Sequence, residues 1–262
     1  LGLVITLGVV VSYTLLGGFL AVSMTDFVQG CIMFVALILV PVVAYQEFSS
    51  ADKMMGFAYE SIPHFSDAMQ NVTMLGLISS LSWGLGYFGQ PHIIVRFMAI
   101  RSVSDIKAAR RIGMSWMTVT ITGALATGLV GIAYANKFDM TISDPETIFI
   151  VFSELLFHPL ISGFLLAAIL AAIMSTISSQ LLVSSSSLTE DIYRVISKKE
   201  STEKEMVRMG RYGVAGVGIV ASLLALDRSN SILSIVSNAW AGFGAAFGPL
   251  VLCCLYKKNL TH

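Results

Sequence analysis

Two short stretches of an otherwise apolar chain carry residue types that can hold a solute or an ion. The first is Ser82-Trp-Gly-Leu-Gly-Tyr-Phe-Gly-Gln-Pro-His92. Glycines at 84, 86 and 89 weaken a helix interior, and Pro91 removes a backbone donor and clashes with the turn before it. Inside a membrane, backbone groups freed in this way persist only where they line a cavity or find neighbouring partners. Trp83, Tyr87 and Pro91 fall at i, i+4 and i+8, on roughly one helical face. A breakable helix with an aromatic wall is a candidate solute site, since discontinuous helices bind solutes at the midplane of secondary transporters. The same residues also suit an interfacial aromatic belt with glycines for close packing. Pattern alone leaves both readings open.

The second stretch is Ala171-Ala-Ile-Met-Ser-Thr-Ile-Ser-Ser-Gln180, followed by serines 184 to 187. Ala172, Ser175 and Thr176 stand at i, i+3 and i+4 and share a face. A sodium ion is a hard cation that takes several oxygens, and two hydroxyls with a carbonyl supply about three of them. The competing account is that membrane-helix hydroxyls bond back to a carbonyl one turn earlier, or across to a neighbouring helix. Spacing alone favours that second account. A further glycine-rich run, Trp240-Ala-Gly-Phe-Gly-Ala-Ala-Phe-Gly-Pro249, suits close or flexible packing, with Trp240 available to line a cavity.

The elements that must position these residues are membrane helices. Of 262 residues, 55% are apolar and 12% charged, and the mean hydropathy is +0.80. That composition implies an all-α, multi-spanning membrane protein embedded in a lipid bilayer. Seven segments are long enough to cross, near 1–23, 27–46, 71–93, 112–135, 159–188, 209–227 and 232–256. Asp26, Arg96 and Asp227 lie at their edges and no Asp, Glu, Lys or Arg lies deep inside, which argues against a proton relay. Paired carboxylates, a Ser-His-Asp pattern, a Cys/His metal cluster and a phosphate-cradling loop are all missing from the sequence. The chain therefore reads as a non-enzyme without a resident cofactor, and its zero net charge gives no ground for a nucleic-acid partner. Cys31, Cys253 and Cys254, in apolar stretches, read as small buried hydrophobes.

Charge sets the expected orientation. Arg96, Arg101, Lys107, Arg110 and Arg111 follow the third segment, and Arg194, Lys198, Lys199, Lys204, Arg208 and Arg211 follow the fifth. With Lys257 and Lys258 they share one side of seven alternating spans, leaving Lys53, Lys137 and Arg228 on the other. The positive-inside rule makes that richer side, and the C-terminus, cytoplasmic. Residues 47–70 are expected to hold a short surface helix outside. Residues 148–156 are expected to form an interfacial helix ahead of Pro159, which is placed to start the next one. The mixed charges of 190–211 read as a solvated loop with salt-bridged helical turns. The chain opens on Leu1 within an apolar run and reads as part of a longer polypeptide.

At these motifs the chain resembles the sodium/solute symporter family, on its bacterial proline-carrying branch. The matching runs include Gly17-Gly-Phe-Leu-Ala-Val-Ser with Thr25-Asp26, the 82–92 stretch with Arg96-Phe-Met98, and Ala109-Arg-Arg-Ile112. They continue through Ala168-Ile-Leu-Ala-Ala-Ile-Met-Ser-Thr176, Thr189-Glu-Asp191 and the 239–249 run. The resemblance implies a five-plus-five inverted-repeat fold. On that fold, residues 1–262 form a single transmembrane domain covering the fourth to tenth core helices, with 71–93 as the broken helix of the second repeat. The resemblance also implies sodium-coupled uptake of L-proline at a plasma membrane. Ala172 (through its carbonyl), Ser175 and Thr176 match sodium positions. Trp83, Tyr87 and Pro91 match solute-binding and gating positions, and Asp26 matches a functional membrane-edge aspartate. The first core helix, with the remaining sodium ligands, is expected upstream of Leu1. The alternatives are another small organic solute on the same fold, or a transporter-like sensory domain joined to a histidine kinase.

Overall fold

Long apolar runs without internal charge satisfy their backbone in lipid within the segment itself when they form helix, and helix is the only regular structure among the described residues. The computed structural model describes residues 2–65, 67, 70, 72–197, 202–226 and 232–257. Lys198, Lys199, Asp227, Arg228 and Lys258, which bear on the expected charge distribution, lie outside that set. In chain order the helices are α1 (Gly2–Gln46), α2 (Ala51–Ser61), α3 (Met74–Ser82), α4 (Gly86–Gly89), α5 (Pro91–Met98), α6 (Ile106–Lys137), α7 (Ile148–Leu155), α8 (Pro159–Ser187), α9 (Arg194–Ser197), α10 (Glu203–Leu224) and α11 (Ile232–Tyr256). Five stretches among the described residues are long and apolar enough to cross a membrane: α1, α6 with its leading turn, the run from α8 through α9, α10 and α11.

The first two expected spans form one helical run of 45 residues, and its interruption is at Gly18 rather than near residues 24–26. Gly18 has φ 56° and ψ −151°, a region that side-chain-bearing residues adopt only under strain. Gly18→Ala is therefore expected to destabilise the full-length protein by about 1–3 kcal/mol. Thermal unfolding in detergent measures this, with Gly30→Ala as control, because space around a Cβ at Gly30 is open. The third expected span is cut into α3, a 3-10 turn at Trp83–Leu85, α4 and α5. None of these pieces is long enough to cross alone.

The connections obey local signals. Ser50 caps α2 by accepting the Lys53 N–H at 3.3 Å. Asp144 accepts the Glu146 N–H at 3.0 Å ahead of α7, and Pro159 is the first residue of α8. After α8 a π-helical turn spans Leu188–Tyr193. The exposed Arg194–Glu190 pair there, at 3.2 Å, contributes little stability. Cys31 and Cys254 are exposed, not buried as the sequence suggests. Large apolar side chains such as Leu16 and Leu160 are also exposed, 85% and 80%, and apolar surface of this kind suits lipid.

The helices sort into two compact units. One comprises 23–70 and 107–176, and the other 1–22, 71–106 and 177–262. The boundaries cut α1 after Val22 and α8 after Thr176. The interior of the 23–70/107–176 unit gathers Ala36, Val40, Ala44, Met54, Val130 and Phe152. Tyr134 meets Phe152 edge-on at 5.2 Å there, and Gly123 lets α6 approach the Leu37 carbonyl of α1. In the other unit, Ser185 of α8 donates to the Gly210 carbonyl of α10 at 2.6 Å. Gly213 of α10 seats the same serine.

Candidate solute and ion sites

The segment from α3 to α5 breaks twice, each time for a local reason. At Trp83–Leu85 the helix tightens to 3-10, and the Trp83 carbonyl accepts the Gly86 N–H. At Gln90 the backbone is extended, with φ −87° and ψ 108°, because a proline in the next position disfavours the α region. Helix α5 then restarts on Pro91, and the Gln90 carbonyl accepts the N–H groups of Ile93 and Ile94 at 3.0 and 3.1 Å. Gln90 is 6% exposed. Sequence reasoning misses this buried amide, although a glutamine between glycine and proline in an apolar run is a usable signal.

Glycines bring α4 and α11 together backbone to backbone. A Cβ on Gly86 would fall on the Trp240 indole, and one on Gly89 would meet the Phe243 carbonyl. From the other side, a Cβ on Gly244 would stand 2.9 Å from the Gly86 Cα, and one on Gly248 3.2 Å from the Leu85 carbonyl oxygen. The contact uses small residues in the way membrane helices usually do.

This packing brings two of the three expected solute residues together. Trp83 stacks on Trp240 with ring centres 5.9 Å apart and planes 19° from parallel. Tyr87 meets Trp240 edge-on at 5.0 Å and 86°. Trp83 and Tyr87 stay 39% and 41% exposed, so each keeps a free face. The breaks, however, end the single helical face on which Pro91 is expected to join them. Pro91 instead lines a cavity of about 480 Å³ with Gly89, Val95, Leu182, Ser186 and Phe247. Also unforeseen is Arg96, whose guanidinium donates to Ser179 Oγ at 2.5 Å. In the sequence it stands out as a span-edge, positive-inside charge in a family-matching run, whereas in the fold it ties α5 to α8.

The three expected sodium positions converge on one point. Ser175 Oγ donates to the Ala172 carbonyl at 3.0 Å and Thr176 Oγ1 donates to it at 2.9 Å. Thr118, Thr127 and Ser153 bond back in the same manner to Met114, Gly123 and Phe149. Back-bonding alone is therefore ordinary in these helices. Here two adjacent hydroxyls meet one carbonyl. A cation seated among these oxygens would turn both hydroxyl hydrogens away and use the lone pairs. Asp26 lies half-buried in the unbroken part of α1. It belongs to the same unit as Ala172, Ser175 and Thr176, whereas Trp83, Tyr87 and Pro91 belong to the other.

The profile of the sodium:solute symporter family matches residues 1–262. The chain belongs to the sodium:solute symporter family. Its relatives include the osmoregulated proline transporter OpuE of Bacillus subtilis, 55% identical over 100% of this chain and 53% of the relative. The high-affinity proline transporter PutP of the same organism is 58% identical over 99% of this chain and 55% of its own length. Sodium/proline symporter 2 of Staphylococcus saprophyticus is 53% identical, over 100% and 52%. The chain thus spans about half the length of the curated relatives it matches. Family membership and five membrane-capable helices make this a multi-pass, all-helical membrane protein with bacterial relatives.

Proposed function

We propose that the protein imports L-proline together with sodium by alternating access across the plasma membrane. The observation that carries this reading is the meeting of the Ser175 and Thr176 hydroxyls on the Ala172 carbonyl. It occurs in a chain more than half identical to proteins named proline transporters. Ala172, Ser175 and Thr176 supply sodium oxygens. Trp83 and Tyr87 offer an aromatic wall to the pyrrolidine ring, Pro91 borders the way in or out, and Asp26 acts at the membrane edge. Sodium is the coupling ion, and the chemistry needs no enzymatic cofactor.

The same reading gives residues 1–262 one transmembrane domain with seven crossings of an inverted-repeat fold. The run broken at Gly18 supplies the first two crossings, and the α3–α5 segment the discontinuous third. The basic loops and the C-terminus then face the cytoplasm. Coupling requires that sodium and proline favour the same conformation, and the effect is reciprocal. Helix α8 suits that task, since Thr176 and the Arg96 partner Ser179 are three residues apart on it.

The test is uptake by the full-length protein in proteoliposomes. An inward sodium gradient should drive accumulation of labelled L-proline, and excess sugars or pantothenate should not compete. Uptake without sodium, or none with it, would overturn the reading. Trp83→Ala should raise the half-saturating proline concentration about ten-fold, the worth of one lost apolar wall. A wild-type value would remove Trp83 from the site.

A further inference from the structure

Trp240 stands where three local features meet. Its indole N–H donates to the Trp83 carbonyl at 2.9 Å, and its ring contacts both Trp83 and Tyr87. The floor beneath the ring is Gly86, the residue at which any side chain would collide with the indole. The Trp83 carbonyl already accepts the 3-10 N–H of Gly86. Trp240 is therefore not needed to satisfy an orphaned acceptor. Its bond instead fixes the direction of a carbonyl that a regular α-helix would point along the axis to residue 87.

We propose that Trp240 is a positioning residue for the solute site: bonded to the Trp83 carbonyl and seated on Gly86, it holds the 83–89 turn so that Trp83 and Tyr87 form one wall. The solute role rests on the proline-transport reading above; the hold itself does not. Without Trp240, the turn keeps its backbone packing against α11 but loses the bond and the ring that orient the Trp83 peptide, and its glycines at 84, 86 and 89 then let that peptide rotate. The two aromatic rings would then diverge, and the wall presented to a saturated five-membered ring would be lost. Trp240 acts through its neighbours, so part of its effect on the solute should vanish when Trp83 is absent, and the part that runs through Tyr87 should remain.

A double-mutant cycle in full-length protein, read by sodium-driven proline uptake, tests this dependence. Trp240→Ala should raise the half-saturating proline concentration about five-fold, the scale of one hydrogen bond. The fold-change of the Trp83→Ala/Trp240→Ala pair should be clearly smaller than the product of the two single fold-changes. Trp240→Phe, which keeps a smaller aromatic ring and loses the N–H, should fall between wild type and Trp240→Ala. Hydrogen exchange of the peptide 82–90, measured without solute, should quicken in Trp240→Ala. Fold-changes that multiply in the pair, or exchange that stays at the wild-type rate, would overturn the proposal. Quickened exchange in a protein that takes up no proline would support the hold and sink the transport reading instead.

Discussion

Replacing both Ser175 and Thr176 by alanine is expected to raise the sodium concentration for half-maximal proline uptake about a hundred-fold. Each hydroxyl that points a lone pair at a cation forms a charge-assisted contact, worth about 1.5–3 kcal/mol. Either single alanine should therefore cost about ten-fold or more. The fold itself should tolerate the change. Both hydroxyls bond back to Ala172 within their own helix, such bonds contribute little to helix stability, and alanine is the better helix former. Membrane abundance should stay near wild type, and Thr176→Ser, which keeps the oxygen, should keep most of the sodium affinity. By linkage, proline affinity should fall at low sodium and recover at saturating sodium. Unchanged sodium dependence in the double variant would remove these residues from the ion site.

The physical reason that these residues are legible in the sequence is that helical periodicity converts spacing into a shared face. Ala172, Ser175 and Thr176 lie within one turn of an uninterrupted helix, so i, i+3, i+4 arithmetic holds and the oxygens meet. For Trp83, Tyr87 and Pro91 the same arithmetic runs across a segment that does not remain a helix. The glycines and the proline announce the break. They do not announce its geometry, because a 3-10 turn and an extended Gln90 each rotate the residues beyond them. Gly18 shows a similar limit: two adjacent glycines mark a weak point, yet only the backbone shows which one takes the positive φ. Long-range pairs such as Arg96 with Ser179, or Trp240 with Trp83, have no local periodicity at all. They depend on which helices become neighbours.

The contact between α4 and α11 leads to the second large effect. Gly89→Ala is expected to lower the stability of the full-length protein by about 3 kcal/mol, at the upper end for overpacking. The magnitude comes from the atoms that the new methyl would strike. At Gly89 the first is the Phe243 carbonyl oxygen, with the carbonyl carbon and the Gly244 nitrogen close behind. A flexible side chain could move aside through a rotamer change, but backbone cannot. Relief requires the two helices to separate, which would also pull Trp240 from its seat on Gly86 and part the aromatic rings. Gly84→Ala is the matched control, because a Cβ there has open space while the same 3-10 turn is retained. Thermal unfolding and proline uptake should therefore diverge sharply between two alanines placed five residues apart. Equal stability in the two variants would show that α4 and α11 do not pack at backbone distance, and the wall formed by Trp83, Tyr87 and Trp240 would lose its support.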